Sequence, residues 1–402
     1  SLEAQPAAKA GKGRITLTAP GLQAQTQGEL RQSSGAGTLD VQAKDAAQAL
    51  RWLQKLPGMP SDIQTANALG NAALTLNWQG GWQDPALQAR LQVPSLDWRS
   101  SLSKTVAASA TPSLSVPSAS TATAANVLKV RALDASINGK LSQAQIALQG
   151  RLESGTRRYT LQLAADGGRI AAARQGALDG WATSAWQSVV NQLSLSLEDP
   201  ALGEGPWRLS TRGNVALRWS PGASGGTFEA GAGEAVLAAP SRASTPLSQA
   251  LVQWQPIRRR GGEISTAGKI TGLPLAWIEL IAGPQMAGAG LAGNLVFDGT
   301  WDAQLGDTLR VKASLARSSG DISVQAETTQ GISSRVAAGV KEARLSLDSN
   351  GDALTLALRW DSERAGTADG QLTTRLAKDS AGGWTWPEDA PLRGQLRAQL
   401  PR

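Results

Sequence analysis

Apolar and polar residues alternate along much of this chain with a period of two. That repeat places every second side chain on the same side of a β-strand. Ala73-Leu74-Thr75-Leu76-Asn77-Trp78, Gln145-Ile146-Ala147-Leu148-Gln149 and Gln192-Leu193-Ser194-Leu195-Ser196-Leu197 follow it. So does Ala343-Arg344-Leu345-Ser346-Leu347-Asp348, after which Asn350-Gly351 predicts a tight hairpin turn and Leu354-Thr355-Leu356-Ala357-Leu358-Arg359-Trp360 the return strand. The intervening positions carry Arg, Thr, Ser, Gln and Asp, so one face of each strand suits water and the other does not.

One phrase recurs: Gly, then Asn or Asp, an alternating strand, then Trp. It runs from Gly70-Asn71 to Trp78, Gly213-Asn214 to Trp219, Gly293-Asn294 to Trp301 and Gly351-Asp352 to Trp360. A second recurs as Gly37-Thr38-Leu39-Asp40-Val41-Gln42-Ala43 and Gly320-Asp321-Ile322-Ser323-Val324-Gln325-Ala326. The irregular spacing of copies argues against a solenoid or propeller of fixed period and favours one antiparallel sheet with insertions.

Four short helices are predicted between strands. Asp45 caps one that runs to Leu56 and stops at Pro57-Gly58. A second covers Gly180 to about Asn191, with Trp186, Val189, Val190 and Leu193 at helical spacing. Thr245-Pro246 begins a third, with Leu247, Leu251 and Trp254 aligned, and Pro274 a fourth, with Leu275, Ile278 and Ile281. They read either as local covers or as plugs over an apolar cleft. Residues 99–126 are Ser-, Thr-, Ala- and Pro-rich and read as a disordered insertion between neighbouring strands, since alternation resumes at Val127. The predicted organisation is a β-groove segment over 1–98 with a helix near 45–56, this insertion, and a second β-groove segment over 127–402.

Composition narrows the chemistry. The 402 residues include no Cys and no His, which removes disulfides, thiolate sites, the usual general base and the commonest transition-metal ligand. Aromatic usage is skewed, with 14 Trp against 2 Phe and 1 Tyr. The net charge of +7 is carried by scattered Arg that alternate with acidic residues, which does not suit nucleic acid. The densest run, Arg258-Arg259-Arg260, reads as a solvated loop or as a contact for anionic headgroups. No apolar run approaches the ~20 residues of a membrane span, and no signal peptide is present. Both ends read as cut from something longer, a middle section of a larger protein.

Four motif matches fail on context. Gly222-Ala223-Ser224-Gly225-Gly226 has the nucleophile-elbow pattern but precedes a strand, and no His is available to activate Ser224. Gly288-Ala289-Gly290-Leu291-Ala292-Gly293 has the dinucleotide pattern but lacks a following helix. Ser101-Leu102-Ser103-Lys104 lies in the disordered stretch, and Arg359 stands where a calcium loop starting at Asp348 needs its bidentate Glu. No catalytic residue, metal ligand or cofactor is predicted, and the chain reads as non-enzymatic.

Several tracts resemble the translocation and assembly module family, TamB. They are Gly205-Pro206-Trp207-Arg208-Leu209, Gly272-Leu273-Pro274-Leu275-Ala276-Trp277, Gly290-Leu291-Ala292-Gly293-Asn294-Leu295 and the run Ala313 to Val324. Ala338 to Leu347 and Ala390-Pro391-Leu392-Arg393-Gly394-Gln395-Leu396 complete the set, which covers about residue 190 to the end. The resemblance implies an AsmA-like, bridge-like lipid-transfer protein: mainly β, an elongated, curved antiparallel sheet (a β-taco or groove) with a few short helices. It further implies a periplasmic location in a protein anchored to the inner membrane, phospholipid transport, and outer-membrane protein assembly with the barrel partner TamA through parts outside this piece.

The groove face is expected to carry Leu74, Leu76, Ile146, Leu148, Leu193, Leu195, Leu197, Val215, Leu217, Leu345, Leu347, Leu354, Leu356 and Leu358, joined by Leu309, Val311, Leu315, Ile322 and Val324. Alternation alone does not separate an open groove from a closed core. Tryptophans read as rim residues or as structural ones. With roughly 20 strands at ~4.8 Å, the segment would span on the order of 100 Å. Two other functions fit the same pattern: a scaffold that pairs with nascent barrel strands by β-augmentation, and a β-solenoid adhesin.

Overall fold

The computed structural model describes residues 2–5, 10–57, 63, 66–99, 127–170, 184–222, 226–240, 249–282, 292–327, 333–378, 383–387 and 389–400. The motif at Ser101–Lys104, residues 223–225 and 288–291, and the predicted helix starts at 180–183 and 245–247 lie outside them. Two units divide the chain: Ser1–Pro200 with Glu204–Arg208, and Ala201–Gly203 with Leu209–Arg402. The architecture is mainly β and antiparallel, as the alternation predicts.

The first unit is a meander of β1 (Leu2–Gln5), β2 (Ala10–Ala19), β3 (Leu22–Leu30), β4 (Gly35–Ala43), β5 (Asn67–Gln79), β6 (Ala86–Arg99), β7 (Val127–Lys140), β8 (Gln143–Ser154), β9 (Arg157–Ile170) and β10 (Ala185–Glu198). Each strand pairs antiparallel with its sequence neighbours. Arg99 faces Val127, so residues 100–126 join adjacent strands of one unit.

Bulges keep the apolar side chains on one face. The β5–β6 and β7–β8 registers shift there, the β6–β7 pairing skips Pro94 and Ala132 without a shift, and Ala132 has φ 50°. Pro94 has no N–H to offer a ladder, which suits it to that position. Beyond the skip the apolar parity changes in step, from Leu91 and Val93 to Leu96 and Trp98 in β6, and from Ile137 and Leu133 to Val130 and Leu128 in β7.

Helix α1 (Ala46–Leu53) is the helix that Asp45 predicts. The Asp45 carboxylate accepts from the backbone N–H of Ala47 and Gln48 at 3.0 Å. Ala46 and Leu50 bury themselves against Ala66 and Ala68, with Leu96 and Trp98 packed beside them.

The second unit contains strands broken at matched positions, beginning after β11 (Pro206–Thr211) and β12 (Val215–Ser220). β13 (Thr227–Ala230) and β14 (Gly233–Ala238) are separated by Gly231-Ala232. β15 (Gln249–Trp254) and β16 (Ile257–Arg260) are separated by Gln255-Pro256. β17 (Glu263–Pro274) is unbroken, and its two halves pair with β16 and β15 in turn. Helix α2 (Leu275–Ala282) follows at the Pro274 start that the sequence predicts.

A three-stranded sheet of β18 (Ala292–Gly293), β21 (Ile322–Glu327) and β22 (Ser333–Ala337) stands apart from the main one. The main sheet continues from β17 through β19 (Val296–Leu305), β20 (Leu309–Ser319), β23 (Val340–Asn350), β24 (Ala353–Ser362), β25 (Gly366–Arg375) and β28 (Arg393–Gln399). A short pair, β26 (Ala377–Lys378) and β27 (Trp384–Thr385), completes the unit. Its main core joins Leu275, Leu295, Phe297, Ile322, Ala338, Val340 and Ala343.

Four expectations are corrected. Residues 185–191 form the start of strand β10, not a helix. Residues 249–254 form strand β15, where a helix is predicted. Arg258, Arg259 and Arg260 sit in strand β16, not a loop, because Glu229 and Ser265 flank Arg258 as cross-strand partners. The hairpin turn is Gly351-Asp352, one residue later than predicted, with Asn350 paired to Ala353 and Gly351 at φ 67°.

Candidate functional site

Direct cross-strand partners share a face, so the pairing registers show which side chains line up. In the first unit one row runs Leu17, Ala24, Val41, Leu74, Leu91, Ala135, Leu148, Leu163, Leu193 across β2 to β10. The next runs Ile15, Thr26, Leu39, Leu76, Ala89, Ile137, Ile146, Ala165, Val190. Leu195 lies opposite Leu161 and Leu197 opposite Tyr159 on the same face. These rows are on the order of 40 Å long at the usual strand spacing.

The reverse face is polar. One of its rows reads Thr18, Gln23, Gln42, Ala73, Gln92, Asp134, Gln149, Gln162, Ser194. Two shallow depressions of about 530 Å³ lie there, one lined by Gln27, Thr38, Asn77, Gln88 and Asn138, the other by Arg90, Asp134 and Gln149. Arg90 and Asp134 pair at 2.5 Å, which raises the Arg90 pKa and holds the Asp134 carboxyl below its ordinary value. An engaged ion pair among amides offers neither a nucleophile nor a free base.

The second unit repeats the arrangement. One row runs Ala235, Val252, Ile270, Gly299, Leu315, Leu345, Leu358, Gly370, Leu396. Another runs Gly233, Trp254, Gly268, Trp301, Ala313, Leu347, Leu356, Leu372, Gly394. Val311 and Leu354 share that face through Ser349. Leu217 pairs with Ala230, which in turn faces Ile257. A groove of about 340 Å³ opens on this face between Leu356, Leu358, Leu372 and Leu396.

These rows are open over part of their length, although Ala165, Val190 and Ala235 within them are buried. Ile15 is 49% exposed, Ile137 38%, Leu345 39% and Leu358 41%. Leu74, Leu76, Ile146, Leu148, Leu193, Leu195, Leu197, Leu217, Val311, Leu315, Leu347, Leu354 and Leu356 are half-buried. Three expected face residues are instead buried: Val215, Leu309 and Ile322. Ile322 belongs to the core under α2 and to the small sheet, so it is not on the groove face. The Val324 side chain lies outside the described ones, and its strand also belongs to the small sheet.

Tryptophans tile the apolar face. Trp78 lies over Gly37 and Gly28, Trp254 over Gly233, and Trp301 over Gly268, each where a Cβ on the glycine would run into the indole. Each indole N–H is satisfied: Trp78 Nε1 donates to the Glu29 carbonyl at 3.3 Å, Trp254 Nε1 to that of Gly231 at 3.0 Å, and Trp301 Nε1 to Thr266 Oγ1 at 3.2 Å. Those rings are structural covers of side-chain-free positions. Leu17, Leu91, Ile137, Leu163, Leu372 and Leu396 are further face residues that the registers add. Leu39 and Val41 were legible in the alternating phrase Leu39-Asp40-Val41, and Leu372 and Leu396 only through their partners.

Asp321 is the most heavily engaged carboxylate in the second unit. It accepts from the backbone N–H groups of Ile322 at 2.8 Å, Gly339 at 2.9 Å and Val340 at 3.1 Å. Burial works against its charge, but those donors and Arg317 outweigh it and hold the carboxyl below its ordinary value. Its bonds tie the turn before β21 to the start of β23, a structural task. Among the described residues no group of carboxylates could hold a metal ion, and no helix is long and apolar enough to cross a membrane.

Compared with known proteins, the chain matches no family model, no curated protein and no solved structure.

Proposed function

We propose that this chain holds the acyl chains of phospholipid against the apolar faces of its two sheet units and supports their movement between inner and outer membrane. The observation that carries the reading is the alignment of Leu, Ile, Val and Trp side chains into rows that cross strand after strand and stay open to solvent over part of their length. Burying a methylene contributes about 0.8 kcal/mol, so a fatty tail laid along such a row is held against release into water. Shifting the tail by one strand replaces each contact with an equivalent one, so sliding costs little and needs no chemistry. The resemblance to TamB extends the proposal to the periplasm, to a protein anchored in the inner membrane, and to outer-membrane biogenesis.

Mass spectrometry of lipid extracted from the purified protein tests this. Phospholipid should co-extract, and Leu345→Asp with Leu358→Asp should remove lipid bound in the second unit while circular dichroism stays unchanged. No co-extracted lipid, or wild-type amounts in that double variant, would overturn it.

One observation favours a second reading, a scaffold for unfolded outer-membrane proteins. Strand β28 pairs with β25 along one edge, and no described strand occupies its other edge. Photo-crosslinkers placed in β28 should then capture porin-like chains in preference to lipid. A β-solenoid adhesin fits poorly, because stacked rungs of a parallel β-helix differ from the antiparallel meander found here.

A further inference from the structure

On the polar side of the second unit, a depression of about 330 Å³ is lined by Arg344, Ser346, Arg359, Asp369, Gln371 and Arg397, among others. The strand registers bring them together: Arg344 lies directly across from Arg359, Arg359 from Asp369, and Asp369 from Arg397. Three arginines and one carboxylate from four strands therefore form a single cross-strand row, in the order Arg344, Arg359, Asp369, Arg397. Other arginines on these sheets meet acids, as Arg90 meets Asp134, Arg131 meets Asp97 and Arg258 meets Glu229, while some, such as Arg151, meet none among the described residues. Like charges directly opposed across strands are unfavourable unless something offsets them.

The available acids offset only one of the three. Arg359 reaches Glu342 at 3.2 Å and Asp369 at 4.0 Å, and Glu342 does not line the depression. Among the described residues the Arg344 and Arg397 side chains make no hydrogen bond or ion pair. Arg344 and Arg397 stand at opposite ends of that row, with Ser346 and Gln371 lining the recess between them, and an unengaged planar guanidinium fork is the side-chain group best suited to phosphate oxygens.

We propose that Arg344, Arg359 and Arg397 form a binding site for a phosphate-bearing anion. The phosphate comes either from a lipid headgroup or from a free phosphomonoester. The site faces away from the apolar rows, so its occupancy is independent of acyl binding there.

The full chain is titrated with soluble glycerophosphate by calorimetry, and is sedimented with vesicles of phosphatidylcholine alone or mixed with phosphatidylglycerol. Saturable glycerophosphate binding identifies a free ligand. Binding only to phosphatidylglycerol vesicles identifies a headgroup. Either supports the site if Arg344→Gln with Arg397→Gln weakens it by roughly 25-fold, about fivefold per arginine. A control of equal charge change, Arg151→Gln with Arg208→Gln, should bind as the unaltered chain does. Absence of binding to every probe, or equal loss in both double variants, overturns the proposal. Fatty-acid binding measured on the same variants reports separately on the apolar face.

Discussion

At the residue scale, the glycines beneath the tryptophans are more constrained than their place in a strand suggests. Gly268 has ordinary extended geometry, yet a side chain there would collide with the Trp301 ring, and the Gln253 carbonyl is as close. Gly268→Val should therefore destabilise the second unit by about 1–3 kcal/mol through overpacking. Urea unfolding would measure the loss, and a red shift of tryptophan emission would report the displaced indole. Asp321 makes a different prediction. Its folded pKa lies below its unfolded one, so its stabilisation is fully present above the unfolded value, ~3.9, and is lost as pH falls through the lower folded value. The urea midpoints of native chain and Asp321→Asn should differ by a constant amount near neutrality and converge at acid pH. A gap that persists in acid would show that the carboxylate's charge is not what matters.

At the element scale, strand after strand was legible in the period-two pattern, and the two failures, β10 and β15, have different causes. In β10 a bulge inserts one residue and turns a spacing of two into a spacing of three, which beside an ordinary spacing of four mimics a helix. In β10 the apolar face carries Trp186 and Val190 before the slip between Val190 and Gln192, and Leu193 after it, so the strand reads as one side of a helix. β15 failed differently: Ala250-Leu251-Val252 is apolar on both faces, with Leu251 opposite Val236 and Val252 opposite Ala235. A continuous apolar run carries no period to read. Helices α1 and α2 were legible because their starts are chemical, an Asp cap and a proline. The candidate face was legible in part, since alternation names the Leu of each strand but only the register shows that they align. Whether α1 covers or gates that face is testable. Leu50→Ala should cost about 2–4 kcal/mol, because Leu50 packs into the cluster with Ala66 and Ala68. Fatty-acid affinity should not change if α1 is a local cover. An altered affinity with folding intact would mark a gate.

At the scale of the whole molecule, both units solve one problem in the same way: a sheet with one polar and one apolar side, whose apolar side keeps large residues such as Ile15, Ile137, Leu345 and Leu358 exposed. A closed pocket and an open row respond differently to ligand length. A pocket improves affinity with each methylene until it is full and then rejects longer chains. Rows crossing strand after strand have no such end wall on the scale of a fatty tail. Affinity for saturated fatty acids should therefore rise steadily with chain length. Full burial would give roughly tenfold for every two methylenes, and a face that covers one side of the tail would give about threefold. Displacement of a fluorescent fatty acid, run over a series of lengths, measures the slope. Leu345→Asp with Leu358→Asp should flatten the part of that slope contributed by the second unit, because the two residues interrupt one row on adjacent strands. A sharp cutoff at one length would instead place the ligand in an enclosed cavity, and the open rows would then be ordinary solvent-facing surface.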